Sequence, residues 1–151
     1  MPLTRVSIVI PDSVTVIEEG AFADCAGLRD VALPRGLTEL SGVTYENGGI
    51  FKGCTQLRTI TIPPAVTVIG RYTFLSCAVL EEITFEGNTK IEQDAFKNCG
   101  NIRRIHAGPG VTRIEELDLI PVYRRIFQDC PGEQAKLKAA QTAFMEKYGG
   151  Q

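Results

Sequence analysis

The 151-residue chain is poor in the residues that most often carry chemistry. It has a single histidine, His106, and no serine or cysteine stands in a pattern that would give it a base and an acid partner. There is no P-loop, no Gly-x-Gly-x-x-Gly and no metalloprotease helix motif. No apolar run approaches the length of about 18 residues that a membrane span needs. The N-terminal Met-Pro-Leu-Thr-Arg lacks the basic region, apolar core and cleavage site of a signal peptide. Net charge is −2, so no basic face would draw nucleic acid or anionic lipid by bulk electrostatics. These absences argue against an enzyme and against a cofactor. As given, the chain reads as cytoplasmic; a cell-surface or secreted location is the alternative if it is a fragment of a longer protein.

The five cysteines are an odd number, which argues against a closed disulfide framework. Zinc sites cluster their ligands, and here no two cysteines lie closer than the 22 residues that separate Cys77 from Cys99. What the cysteines do share is a slot. Phe-x-x-Cys recurs at Phe22–Cys25, Phe51–Cys54, Phe74–Cys77, Phe96–Cys99 and Phe127–Cys130. Cysteine behaves as a small, readily buried hydrophobe, so Cys25, Cys54, Cys77, Cys99 and Cys130 are expected to form a buried ladder of reduced thiols.

Other landmarks keep step, giving units of about 23 residues, a period that signals stacked repeats. After each cysteine, apolar residues fall at +3, +6 and +8, as in Leu57, Ile60 and Ile62. The +6 and +8 positions have the period of a half-buried strand, and Pro11, Pro34 and Pro63 end three of these strands. A second apolar pair follows (Val14/Ile17, Leu37/Leu40, Val66/Ile69, Val111/Ile114, with Asn88/Ile91 as a variant). It marks a second stretch facing the core. No unit can bury its own face, so stacked units share one core.

These residues carry a specific resemblance. "IPDSVTVIEEGAFADCAGLRDVALP" and "IFKGCTQLRTITIPPAVTVIGRYTFLSC" are similar to the BspA-type leucine-rich repeat, a mostly bacterial and protist family. The resemblance implies an α/β solenoid of leucine-rich repeats, with a parallel sheet on one face and short loops or helical turns elsewhere. It also implies adhesion or protein binding. The chain is read as one domain, residues 1–151, with repeats over about 6–130.

On each strand the +5 and +7 residues point away from the core. The sheet face should therefore show Ser7, Asp30, Thr59, Glu82 and Arg104 in one column and Val9, Ala32, Thr61, Thr84 and His106 in the next. A ligand on this face and a merely solvated surface are both compatible with such residues. His106, beside Arg103 and Arg104, is either an anion or carboxylate contact at the sheet edge or an exposed polar residue on a terminal coil. Two insertions, 41–49 and 115–126, leave the repeat at the same point, and per-repeat insertions often build a binding face. Tyr45, Glu46, Asn47, Tyr123, Arg124 and Arg125 are the candidates for contacting a partner; alternatively the second insertion seals the end of the core. Residues 131–148 read as one amphipathic helix, with Leu137, Ala140, Phe144 and Tyr148 on a stripe. It would cap the last coil or bind a partner.

No matching cap precedes strand Val6–Ile10, and an unpaired strand edge invites association. The sequence thus points to a non-enzymatic protein–protein interaction module. Self-assembly into a homo-oligomer through the N-terminal edge is one alternative. Adhesion to a host protein or glycan, as part of a longer surface protein, is the other.

Overall fold

The computed structural model describes residues 6–40, 45–92, 94–111 and 145–146. They form a parallel β-solenoid of about four turns, each with three sides. The sheet side carries β1 (Val6–Val9), β2 (Leu28–Ala32), β4 (Thr59–Ile62), β6 (Glu82–Phe85) and β8 (Arg104–Ala107). The back side carries the two-residue strands β3 (Glu39–Leu40), β5 (Val68–Ile69) and β7 (Lys90–Ile91). Among the described residues, a corner made by each Phe-x-x-Cys leads into the next coil. We number the coils 1 to 5 from β1, β2, β4, β6 and β8.

The alternation expected of the strands is present. β4 buries Ile60 and Ile62 and exposes Thr59 and Thr61. Registers place Thr59 beside Glu82 and Arg104, and Thr61 beside Thr84 and His106. In the first coils Ser7 sits beside Asp30, and Val9 beside Ala32. Leu57, Ile60, Ile62, Val66, Ile69, Phe74 and Leu80 are among the side chains that fill the single main core, all nearly or fully buried. The sheet side is not continuous. It divides into β1–β2 and β4–β6–β8, while the back ladder runs β3–β5–β7.

The α/β description is corrected here. Apart from a 3-10 turn at Glu46–Gly48, the only described helical residues are Met145 and Glu146. The corners are turns, for a local reason. Asp24, Gly53, Ser76 and Asn98, each directly before its cysteine, have φ between +60° and +73°, and so do Gly20, Tyr72 and Asp94, each five residues before one. Left-handed residues spaced this closely cannot propagate a right-handed helix. Gly, Asp and Asn tolerate that conformation best. The C-terminal capping helix expected over 131–148 lies outside the described residues, except for Met145 and Glu146; Met145 packs against the main core.

Each corner is built from the same two stacks. Phe22, Phe51, Phe74 and Phe96 lie one over the next with centroids 5.2, 5.3 and 5.0 Å apart and planes within 5°. Beneath them the thiols of Cys54, Cys77 and Cys99 donate to the carbonyls of Phe22, Phe51 and Phe74, at 3.2, 3.2 and 3.0 Å. Cysteine is thus a hydrophobe with a weak donor, placed to give a second hydrogen bond to a carbonyl of the preceding coil that already accepts a backbone N–H. Cys54, Cys77 and Cys99 are buried and Cys25 is half-buried; all four are free thiols. Cys130 lies outside the described residues. Burial pushes the Cys54 thiol up to about 12. The hydrogen bond with Cys99, then burial, holds Cys77 well above its ordinary value. Both therefore stay protonated at neutral pH, which makes them poor nucleophiles.

Candidate functional site

The joint between coils 3 and 4 closes on all three sides. On the sheet side Glu81 N–H donates to the Arg58 carbonyl at 2.7 Å and Glu86 N–H to Ile62 at 3.0 Å. On the back side Lys90 and Glu92 donate to Thr67 and Ile69, both at 2.9 Å. At the corner Phe74 and Ser76 donate to Ala95 and Lys97, both at 2.8 Å. The joint leaves no slack: a Cβ on Gly87 would lie 2.4 Å from the Pro64 carbonyl oxygen.

Coil 2 breaks this pattern on both of its faces. With coil 1 it shares the β1–β2 ladder and the corner bonds from Gly20, Phe22 and Asp24 to Gly48, Ile50 and Lys52. The back side of coil 1, however, forms no ladder with β3. With coil 3 it shares the β3–β5 ladder and the corner bonds from Phe51 and Gly53 to Thr73 and Leu75. There it is β2 and β4 that do not pair. One feature of the sequence sets coil 2 apart: the six extra residues between Leu40 and Phe51. Pro63 occupies the position from which Glu86 and Gly108 donate to the coil before them, and proline has no N–H to give, but Pro34 holds the same position in coil 2, where the β1–β2 ladder forms without that bond.

A cleft opens at each missing ladder. The sheet-side cleft, about 390 Å³, runs across the C-terminal ends of β1, β2 and β4, over the seam where β2 and β4 do not pair, and is lined by Val9, Ala32, Leu33, Thr61 and Pro63, with Arg35 and Glu86 among its charged residues. Arg35 and Glu86 pair at 3.0 Å, and Asp12 accepts the Arg35 backbone N–H at 2.8 Å. The back cleft, about 350 Å³, lies between coils 1 and 2 and is lined by Val16, Ile17, Glu18, Glu19 and Glu39, with Thr15 and Thr38. The three large hydrophobic side chains most exposed among the described residues are Val9 at 79%, Val16 at 67% and Tyr45 at 50%. Val9 lines the first cleft and Val16 the second. Tyr45 reaches the second through its hydroxyl, which donates to the Glu19 carboxylate. That carboxylate also pushes the Tyr45 phenol up.

Of the candidate partner residues, Tyr45 and Asn47 are exposed on the 3-10 turn of the first insertion and Glu46 lies within it. Tyr123, Arg124 and Arg125, with the whole second insertion, lie outside the described residues. On the sheet face the charged candidates are engaged with one another. Arg104 pairs with Glu82 at 3.1 Å, His106 Nε2 lies 3.6 Å from the same carboxylate, and Arg58 pairs with Glu81 at 2.8 Å. Asp30 accepts from Ser7 at 3.2 Å. His106 therefore contacts a carboxylate of its own sheet. Thr59, Thr61 and Thr84 line this face between the charges. The clefts were not evident from the sequence, although the insertion at 41–49 was a signal for them.

Among the described residues no helix is long and apolar enough to cross a membrane. No curated protein matches the chain. Among solved structures, the chain is similar to a leucine rich cell surface protein from Faecalibacterium prausnitzii A2-165. The two are 30% identical with a TM-score of 0.64, over 76% of this chain and 28% of that one. This chain therefore spans just over a quarter of that protein. Residues 4–131 match the BspA type leucine rich repeat region in six copies. With the stacked Phe-x-x-Cys corners and the parallel ladders, this shows that the chain belongs to the BspA-type leucine-rich-repeat family.

Proposed function

We propose that this solenoid is a non-enzymatic protein-binding module whose partner docks around coil 2. The supporting observation is that, among the described residues, the three most exposed large hydrophobic side chains gather at the two clefts flanking that coil, Val9 and Val16 in their linings and Tyr45 through its bond to Glu19. Elsewhere the described surface offers small polar side chains and charges, several of them paired with one another. Exposed apolar groups around a concave feature, rimmed by polar ones, mark interaction sites. The cell-surface neighbour favours a role on the outside of a cell, as part of a longer chain, over the cytoplasmic location read from the sequence. The test is affinity capture followed by quantitative mass spectrometry, comparing the intact chain with Val16→Glu, Tyr45→Ala and Val9→Glu variants. A partner lost by these variants and kept by Thr84→Glu supports the reading. A partner that ignores all three and is lost with Thr84→Glu moves the site to the polar sheet face.

A second reading is self-association through coil 1. Val6, Ile8, Val14, Phe22 and Cys25 are only partly buried, although they pack against the main core, and β1 has no strand on its outer edge among the described residues. Sedimentation of the intact chain from low to high micromolar concentration separates the two readings. A monomer throughout removes the second.

A further inference from the structure

We propose that the two clefts are the two ends of one tilt of coil 2, so that they open and close together. Coil 2 leans on coil 1 along the sheet side, where Val6–Val9 is in register with β2. It leans on coil 3 along the back side, where Glu39 and Leu40 pair with Val68 and Ile69. The sides left without a ladder are the opposite ones, back against coil 1 and sheet against coil 3. A coil inclined between two mutually parallel neighbours produces this diagonal arrangement. Two unrelated defects would have no reason to fall on opposite sides of the same coil.

The corner is the pivot. It is closed in both joints, with Phe22, Phe51 and Phe74 stacked at 5.2 and 5.3 Å and backbone bonds of 2.6 to 2.9 Å above and below coil 2. Rotation about this corner brings β2 toward β4 and, in the same motion, β3 toward the back side of coil 1. The first insertion sets the tilt, through Tyr45 and its bond to Glu19 of coil 1. A packed element with two alternative sets of contacts is what couples distant sites energetically. A partner wedged into either cleft would therefore hold the other one open.

A disulfide staple tests this without any partner, so its failure leaves the binding reading standing. Ala32→Cys and Thr61→Cys face each other across the unpaired seam, and both positions are exposed. Diamide oxidation would tie the sheet side shut, and hydrogen exchange would be followed over residues 15–19 and 38–39 at the other cleft. The expected result is about tenfold slower exchange there than in the reduced double variant. A staple that forms while exchange at the back cleft is unchanged overturns the proposal, since coil 1 would then simply follow coil 2. Failure to form the staple, under conditions that close a Thr61→Cys/Thr84→Cys pair in the continuous sheet, also overturns it. Tyr45→Phe supplies a second arm, because it removes the tether while keeping the ring. Exchange should change by the same factor at both clefts, and a change confined to the back cleft counts against a common tilt.

Discussion

The joint between coils 3 and 4 and the two joints of coil 2 use the same parts with different results. In the first, strand, back and corner hydrogen bonds all form and the residues between them, Phe74, Cys77, Leu80, Ile83 and Phe96, are fully buried. In the others one side of three is missing, and apolar side chains reach solvent beside the gap. The repeat residues are equivalent throughout, so the difference does not come from the core positions. It accompanies the six extra residues of one coil. In a solenoid, stability is close to a sum over coils and their neighbours. A local insertion therefore loosens its own joints and leaves the inner block intact. The solenoid can carry a binding feature in coil 2 because coils 3 and 4 do not depend on it.

The most direct way to break this comparison is to remove the same ring from both regions. Phe74 is fully buried with rings stacked on both of its faces. Phe22 is half-buried with a ring on one face only. Phe74→Ala should cost about 3–5 kcal/mol, through lost burial and the cavity left behind, and Phe22→Ala about 1–2 kcal/mol for its partial burial. Urea unfolding measures both. Equal losses would mean that coil 1 is as tightly integrated as the inner block.

Much of this architecture was legible in the sequence, and the part that was not has a physical cause. The columns Thr59–Glu82–Arg104 and Thr61–Thr84–His106 followed from counting residues after each cysteine, because period-two burial fixes which side chains share a face. The thiol ladder followed from the odd count and the common slot. The corners were expected as short loops or helical turns; Asp24, Gly53 and Asn98, types that tolerate the left-handed region, signalled turns, and the α/β character expected of the whole is what the described residues lack. Placement of the candidate site was only half visible. Tyr45 stood in an insertion, but Val9 and Val16 looked like ordinary members of a repeat. Both occupy outward-facing positions of their coil; what stayed hidden is that ladders fail to form beside them, and such a failure is a property of the joint rather than of any one residue.

Thiol chemistry sharpens the comparison next. With its pKa raised from 9.0 to about 12, Cys54 at pH 8 holds about a thousandfold less thiolate than an ordinary cysteine. Iodoacetamide should therefore modify Cys54 and Cys77 only as fast as the solenoid opens. Labelling of Cys54, whose cover is the loosely held first coil, should lead that of Cys77. The sign for stability follows from proton counting. The folded state holds the Cys54 proton to higher pH than the unfolded chain does, so this contribution is fully present below about pH 9 and is lost as pH rises toward 12. Denaturation midpoints flat up to pH 8 and falling above pH 9 are expected. For Cys54→Ala, the fall above pH 9 should be shallower.

Backbone strain gives a smaller effect at two glycines, one in each of the first two corners. Gly20 and Gly53 have φ of +68° and +73°, so an added side chain is strained at either. At Gly20 nothing lies within 4 Å of the new Cβ, whereas at Gly53 it would sit 2.2 Å from Asp24 Oδ1. Gly20→Ala should cost about 1 kcal/mol, the left-handed penalty alone. Gly53→Ala should cost about 1 kcal/mol more, because Asp24 must leave its 3.1 Å contact with Lys52. A smaller cost at Gly53 than at Gly20 would mean that Asp24 moves freely and that the corner is a poor pivot.

The smallest effects concern surface ion pairs, and they separate the seam from the sheet. Arg104 and Glu82 pair across the β6–β8 ladder, which holds the two strands in register without them. Arg35 and Glu86 join coil 2 to coil 4 across the open cleft, at side-chain exposures of 60% and 36%. Exposed pairs contribute about 0.2–1 kcal/mol and weaken with salt, so Arg104→Ala and Arg35→Ala should each shift the urea midpoint only slightly. Their local consequences should nevertheless differ. Losing Arg104 leaves hydrogen exchange in β6 and β8 unchanged, because the backbone ladder carries that joint. Losing Arg35 removes one of the few links over a seam that has no ladder, so exchange at Thr61 and Ala32 should accelerate while β6 stays protected. Equal acceleration at both sites would mean that charge pairs, and not backbone ladders, hold the coils together.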